Sequence, residues 1–273
     1  MKQILTTLVT LTTLTVLAQD TKKITEKHKN PWYTEEYYVL KSDKKVRHGN
    51  YKKLGYKDCL VINGYYKNNK KDSTWTEYLW RTDIIESQGN YKDDNKTGLW
   101  TEFHKVGNKN IPARKGEFKD GDRVGVWEFY NREAELIQKY NFDTKELLYF
   151  KPDKEADKEH EVKTAKGIEK IKLDTPPMFI GGQDEAGETL LDARIRYPNE
   201  AIEKGISGTV WISFFVDENG IAVDHQVKEG IGGGCDEESL RVVKEVPNNW
   251  LPGQLNGQPV TAKYLFPVNF VLR

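Results

Sequence analysis

The first half of the chain repeats one arrangement of aromatic and polar positions. Each copy begins with glycine, a variable residue, an aromatic residue and lysine, and tryptophan follows the glycine by 11 residues: Gly64 and Trp75, Gly89 and Trp100, Gly116 and Trp127. Short aromatic segments on either side of a polar turn predict one β-hairpin per copy. Because an isolated hairpin is only marginally stable, we expect the copies to stack and bury one another's rings.

The second half follows a different pattern. Residues 151–175 contain few apolar positions and a dense mixture of charges, which predicts a solvated linker. Beyond it, apolar periodicity and turn signals predict two helices, a hairpin, a third helix and a last strand, in the ranges 184–195, 199–205, 209–228, 238–246 and 260–272. This order is typical of a small α+β domain with helices on one face of a three-stranded antiparallel sheet.

The amino terminus has the features of an export signal. Met1 and Lys2 precede the stretch Ile4–Leu17, which has 14 residues, six of them Thr, and no charge. As a helix it would be about 21 Å long, shorter than the roughly 30 Å of a hydrocarbon core. We expect cleavage after Ala18 or Gln19 and a periplasmic protein; an uncleaved segment anchored in the inner membrane is the alternative.

These patterns predict five regions along the chain. They are a signal peptide (1–19), an N-terminal segment (20–35), an all-β region of stacked hairpin repeats (36–150), a charged linker (151–175) and an α+β domain (176–273). Lysine plus arginine and aspartate plus glutamate number 42 each. A chain without net charge lacks the electrostatic signature of a nucleic-acid-binding protein.

No catalytic or metal-binding pattern is evident. The five histidines are scattered, and the sequence contains no His-Glu-x-x-His, Cys-x-x-Cys or Gly-x-Ser-x-Gly motif. Cys59 and Cys235 lie in different halves, and we expect two small apolar side chains rather than a disulfide. The sequence therefore predicts a protein that is not an enzyme, with no catalytic residues, no metal ligands and no cofactor.

The last hundred residues carry several motifs in a fixed order: Tyr197-Pro198, Gly208–Gly220, Cys235–Val243, Trp250–Gly253 and Asn256-Gly257. Together they resemble the C-terminal domain of TonB, the periplasmic energy transducer that binds outer-membrane transporters. The resemblance covers residues 176–273. It implies a protein-interaction module linked to transmembrane transport, whose partners are TonB-dependent transporters.

The resemblance also implies where a partner binds. In TonB the transporter's extended TonB box adds beside the C-terminal strand, here Val260–Phe270. Pro267 lacks the N–H group that a strand paired on both sides would use, so at least one edge should be open. Residues just before the Tyr-Pro pair also contact the receptor in TonB, although Arg194 stands where TonB itself can have glutamine. The implied peptide-binding residues are Arg194, Arg196, Lys263, Tyr264, Leu265, Phe266, Val268, Asn269 and Phe270.

The repeats resemble the MORN variant found in exported bacterial proteins, over residues 36–150. Their aromatic rows are compatible with either buried packing or a face that stacks on a ligand such as a sugar. The alternative to a TonB-like function is therefore an envelope structural, assembly or glycan-binding protein that acts through the repeat region.

Overall fold

The structure is a computed structural model that describes residues 20–105, 109–152, 156–192 and 195–272. The predicted signal peptide lies outside the described residues. The chain divides into two compact units. One runs to Asp83 and includes Asn90–Asn95, and the other comprises Ile84–Gly89 and everything from Lys96 onward.

Eleven strands of the described residues form one antiparallel sheet in chain order. They are β1 (Thr21–Lys29), β2 (Trp32–Leu40), β3 (Arg47–Leu54), β4 (Leu60–Lys67), β5 (Lys70–Tyr78), β6 (Ile85–Lys92), β7 (Asn95–Phe103), β8 (Pro112–Lys119), β9 (Asp122–Tyr130), β10 (Leu136–Asn141) and β11 (Glu146–Phe150). A short 3-10 helix, Tyr56–Asp58, precedes β4. The sheet begins at Thr21, and the repeats were expected from residue 36.

The remaining elements belong to a smaller α+β region. They are β12 (Glu159–Thr164), β13 (Gly167–Lys172), β14 (Met178–Phe179), α1 (Gly182–Asp192), α2 (Asn199–Glu203), β15 (Gly208–Val216), β16 (Ala222–Glu229), α3 (Cys235–Glu245), β17 (Trp250–Leu251), β18 (Gly253–Leu255), β19 (Gln258–Val260) and β20 (Ala262–Phe270). In the described residues, no helix is both long enough and apolar enough to span a membrane.

The hairpin turns explain the regular register of the repeats. The two turn residues in the three copies, Asn68-Asn69, Asp93-Asp94 and Asp120-Gly121, all have positive φ. Two consecutive residues with positive φ form the turn whose twist matches that of paired strands. Asn, Asp and Gly tolerate this conformation better than other residues. The sequence prediction of a β-hairpin repeat is thereby confirmed.

The tryptophan of each repeat packs on the glycine of the same hairpin. Trp75, Trp100 and Trp127 are at most 2% exposed. A Cβ atom on the facing glycine would lie 2.2–2.4 Å from the indole ring, far inside the usual carbon contact distance of about 3.5–4.0 Å. The repeat therefore needs glycine at this position because any side chain would displace the ring.

A cation covers each of these rings and comes from the same strand, four residues earlier. The three pairs, with distances from the charged group to the ring centroid, are Lys71 on Trp75 (4.5 Å), Lys96 on Trp100 (4.3 Å) and Arg123 on Trp127 (4.5 Å). Residues four apart on a strand share a face, and a cation over an aromatic face is attracted by the ring quadrupole. Buried, covered rings favour packing over a surface for ligand stacking.

The charged segment expected to be a linker contains a β-hairpin. β12 and β13 pair with each other and join the sheet of the α+β region, which has the strand order β13-β12-β20-β15-β16. The sheet is thus five-stranded in the described residues, where three strands were expected. Val162 is 1% exposed and packs with Leu173 and Ala262. This burial anchors the hairpin in spite of its charged surface, which the low apolar content of the segment concealed.

Arg114 of β8 connects the later repeats to α1. Its guanidinium group bonds to Glu102 (Nε to Oε2, 2.5 Å), Glu188 (Nη1 to Oε2, 2.8 Å) and Glu185. Burial acts to raise the pKa of Glu102, but the charges of Arg114 and Lys96 outweigh it and lower that pKa. The acidic first turn of α1 is therefore held by the repeat sheet.

A second contact joins the same parts of this unit. The side-chain amide of Gln138 in β10 donates to the carbonyl oxygen of Phe179 at 3.3 Å, and its oxygen accepts from the N–H group of Gly181 at 2.5 Å. Gln138 is 3% exposed, so both polar groups of its amide are satisfied in the interior. The later repeats and the α+β region consequently pack as one unit, where the sequence predicted a separating linker.

Candidate functional site

β20 has a fully paired side and a mostly open side. On one side it pairs with β15 along its whole length, from Ala262 to Phe270, without a shift in register. On the other side β12 pairs with it at a single position, Val162 with Ala262. Among the described residues, no strand pairs with the segment from Leu265 to Asn269 on that side.

The hydrogen bond that flanks the contact with β12 fixes which backbone groups face the open side. The N–H group of Lys163 donates to the carbonyl oxygen of Thr261 at 2.9 Å. In an antiparallel pair this pattern directs the backbone of Lys263 toward β12. The backbone hydrogen-bonding groups of successive residues point to alternate sides of a strand. Those of Leu265, Pro267 and Asn269 therefore also point away from β15. The ladder with β15 therefore needs no N–H group from Pro267, which explains how proline fits inside this strand.

The side chains of β20 alternate in the same way. Tyr264, Phe266, Val268 and Phe270 pack in or against the core of the α+β region. Leu265 is 45% exposed on the other face, and Asn269 accepts a hydrogen bond from the hydroxyl of Thr209 at 2.7 Å. Four of the nine residues implied by the resemblance therefore stabilise the fold, and their backbone groups face β15. Leu265 and Asn269 are the implied residues on the open segment.

Lys263 has a partner on β12. Its ammonium group forms an ion pair with Glu161 and lies 5.3 Å from the ring centroid of Phe215. The hydrogen bond from Lys263 lowers the pKa of Glu161. This ion pair marks the point where β12 stops covering β20, so Lys263 closes one end of the open edge.

A cleft lies beside the open edge where β12 and β20 diverge. Its volume is about 910 Å³. The apolar part of its lining comes from several elements and includes Phe150, Met178, Trp211, Tyr264 and Leu265. The size is within the range of pockets that hold small molecules or single side chains of a partner.

The two arginines that precede the Tyr-Pro pair were also implied as site residues. Arg194 lies outside the described residues. Arg196 is exposed, and its N–H group donates to the carboxylate of Glu238 at 2.7 Å. Tyr197 packs edge-on against Phe270, with ring centroids 5.3 Å apart. Arg196 therefore stands near the Phe270 end of β20, at the opposite end from Lys263.

Two further titratable groups of this domain, Cys235 and His225, contribute to its core. Cys235 is completely buried, and burial raises the pKa of its thiol. Cys59 and Cys235 are free thiols. His225 stacks on Phe214, with ring centroids 4.9 Å apart, and burial lowers its pKa. Cys235 and His225 therefore pack in or against the core of the α+β region.

Residues 193–272 match a family model, the Gram-negative bacterial TonB protein C-terminal. This part of the chain is therefore similar to the C-terminal domain of TonB. That family is a non-enzymatic protein-interaction domain, and its members contact outer-membrane transporters. A search of curated proteins and a search of solved structures each found no match.

Sequence reasoning missed one structural part of the site. The β12–β13 hairpin precedes the residues that match the TonB family model, and yet it forms one wall of the cleft and one end of the edge. The alternation of Glu161, Val162 and Lys163 around one buried position was an available but weak strand signal. Three residues of alternation are too few to distinguish a strand from a charged loop.

Proposed function

We propose that the segment Leu265–Asn269 of β20 binds an extended peptide of an outer-membrane transporter by β-augmentation. The observation that supports this most directly is an unpaired strand edge inside a domain that matches TonB. An exposed edge presents N–H and C=O groups that another strand can complete. Backbone pairing provides affinity, and neighbouring pockets provide selectivity.

The edge limits how much of the peptide pairs. Five residues of β20 face or flank the open side, about 17 Å of strand at 3.3–3.4 Å per residue. Leu265 and Asn269 each offer an N–H group and a C=O group there, whereas Pro267 offers only C=O. The peptide should therefore lack one ladder bond opposite Pro267.

Charged groups are placed at the ends of this edge. Arg196 lies near the Phe270 end, since the neighbouring Tyr197 packs on Phe270, and Arg194 is two residues before it in the sequence. A guanidinium group suits carboxylate or carbonyl oxygens because it donates paired hydrogen bonds. Lys263 is at the other end but is engaged by Glu161. An acidic or carbonyl-rich partner segment should extend toward the arginines, and Arg194→Ala or Arg196→Ala should weaken binding only modestly.

The proposal places the mature protein in the periplasm after cleavage of residues 1–19. With a cleaved leader, the domain would dock on a transporter or compete for its TonB box without transmitting force from an inner-membrane motor. A glycan-binding role for the repeats is not favoured, because their three tryptophan rings are at most 2% exposed.

The test is an amide-shift titration of the isotopically labelled chain from Asp20 onward. The ligand is a synthetic peptide copied from the N-terminal box of a TonB-dependent transporter, with a scrambled peptide as control. We expect saturable shifts at Leu265 and Asn269. Shifts confined to the turn Asp217–Gly220, with β20 silent, would contradict the proposal.

A backbone variant sharpens the result. Leu265→Pro removes an N–H group that faces the open edge and should weaken peptide binding while the domain stays folded. Binding that is unchanged in this variant would show that the peptide pairs elsewhere.

A further inference from the structure

The first hairpin brings three metal-ligand side chains together on one face of the sheet. Glu26 and His28 alternate along β1, and Glu35 of β2 is directly opposite Glu26 in the register. One ligand atom from each of the three lies within 4.8 Å of the others. Among the described residues, this is the one group of three or more histidine, cysteine, aspartate or glutamate side chains with this property.

Two tyrosine hydroxyl groups orient the carboxylates. Tyr37 donates to Oε1 of Glu26 at 2.7 Å, and Tyr51 donates to Oε1 of Glu35 at 2.7 Å. The second oxygen of Glu35, Oε2, lies 3.2 Å from Nε2 of His28. Each carboxylate thus has one oxygen held by a hydroxyl, and the second oxygen of Glu35 is already directed at the ring nitrogen of His28, where a metal ion would replace the hydrogen bond between them. Metal ligands in proteins are commonly fixed by outer hydrogen bonds of this kind.

The ring of His28 is also held in place. It stacks on Tyr33, with ring centroids 4.2 Å apart and 16° between the planes. Like charges directly opposite on paired strands are destabilising, so Glu26 and Glu35 gain from a cation between them. We propose that Glu26, His28 and Glu35 form a site for a divalent transition-metal ion such as Zn²⁺, with water completing the coordination.

Nearby positive charges determine which ion the site favours. A guanidinium nitrogen of Arg47 is 3.9 Å from Oε2 of Glu35, and the ammonium group of Lys53 is over the ring of Tyr33 at 4.3 Å. Lys53 is also opposite Glu35 in the register between β2 and β3. These charges disfavour ions that bind by charge alone, such as Ca²⁺ and Mg²⁺. Zn²⁺ gains a bond to the imidazole nitrogen, whereas Ca²⁺ and Mg²⁺ prefer oxygen ligands.

The test is calorimetric titration of the metal-free chain from Asp20 onward with ZnCl₂, repeated with CaCl₂. We expect one saturable Zn²⁺ site and no comparable Ca²⁺ site. His28→Gln and Glu26→Gln should each weaken Zn²⁺ binding by about tenfold or more, judging by the 10–100-fold effect of even an outer-shell change. Glu26→Gln retains an acceptor for the hydroxyl of Tyr37, so the fold should persist.

Two further variants separate a metal site from a hydrogen-bond network. Lys53→Gln should tighten Zn²⁺ binding several-fold because it removes a nearby positive charge. His48→Gln is the matched control, since His48 pairs with Asn68 outside the cluster, and it should leave the affinity unchanged. The absence of saturable binding, or binding that survives both His28→Gln and Glu26→Gln undiminished, would overturn the proposal.

Discussion

Gly116→Ala tests the packing on which the repeat depends. Gly116 of β8 is directly opposite Trp100 in the register with β7. A Cβ atom at Gly116 would lie 2.4 Å from two atoms of the Trp127 ring. Ordinary carbon contacts are about 3.5–4.0 Å, so the ring or the strand must move by roughly 1 Å.

Neither of them moves easily. Trp127 is fully buried, and its indole N–H donates to the carbonyl oxygen of Glu117 at 3.1 Å. Phe118 packs edge-on against the same ring, with centroids 5.0 Å apart. Overpacking of a well-packed site costs about 1–3 kcal/mol. Alanine also restricts the unfolded chain, which returns about 0.4–1 kcal/mol. We therefore expect a net loss of about 1–1.5 kcal/mol in the free energy of unfolding.

A double-mutant cycle isolates the contact. Trp127→Ala alone should cost about 3–5 kcal/mol, as for a buried large aromatic residue. In the Trp127→Ala background there is no ring to displace, so Gly116→Ala should be neutral or slightly stabilising. The coupling between the two changes should then be about 2 kcal/mol, well above the additivity error of about 0.5 kcal/mol.

The assay is urea unfolding of the chain from Asp20 onward, followed by far-ultraviolet circular dichroism, with the midpoints compared at constant slope. Gly187→Ala in α1 is the matched control, because nothing lies within 4 Å of a Cβ atom there; it should raise stability slightly. A free energy of unfolding of Gly116→Ala within about 0.5 kcal/mol of the wild-type value would refute the reasoning. A destabilisation by Gly116→Ala that is the same with and without the Trp127 ring would refute it too.

Three other predictions follow from the structure. Arg114→Met should destabilise the chain by about 2–3 kcal/mol in the same urea assay, because the partly buried carboxylates of Glu102 and Glu185 lose a shared partner and keep only Lys96 and Arg123. A loss below about 1 kcal/mol would mean that the contact with α1 is dispensable. Hydrogen bonds from Lys139 and other donors lower the pKa of Glu128 to about 2. The contribution of its carboxylate to the free energy of unfolding is therefore complete above about pH 4.5 and is lost as the pH falls toward 2. Glu128→Gln should flatten that part of a plot of stability against pH, and an unchanged plot would contradict the lowered pKa. Phe266→Pro should unfold the domain, seen as loss of dispersed amide signals, because the N–H group of Phe266 points toward β15. Leu265→Pro should leave the domain folded. Equal effects of the two variants would contradict the side of β20 to which these N–H groups are said to point.

The repeat pattern was sufficient to predict the hairpins and their buried rings. A fixed spacing of 11 residues between glycine and tryptophan leaves one register, and the Asn, Asp and Gly residues of the turns supply the backbone that such hairpins need. The pattern did not show that Lys71, Lys96 and Arg123 cover the rings. The spacing of four residues before tryptophan is regular in the sequence, but its meaning depends on which face of the strand is buried.

The TonB motifs likewise predicted the helices, the hairpin and the last strand near their observed positions. Pro267 predicted an open edge because a missing N–H group is a local property of the sequence. The sequence did not predict which alternate residues of β20 direct their backbone groups toward the open side. That direction depends on the hydrogen bond between Lys163 and Thr261, two residues that are nearly a hundred positions apart.

The sequence by itself determined the elements whose cause is local: turns, strand alternation, helix ends and the order of motifs. Tertiary structure alone decided that β12 and β13 join the sheet, since the burial of Val162 against Leu173 and Ala262 outweighs a charged surface. It also decided that Glu26, His28 and Glu35 meet, because only strand register places them together. The physical reason is the same in both cases: residues distant in sequence act on one another only after the backbone has brought them into contact.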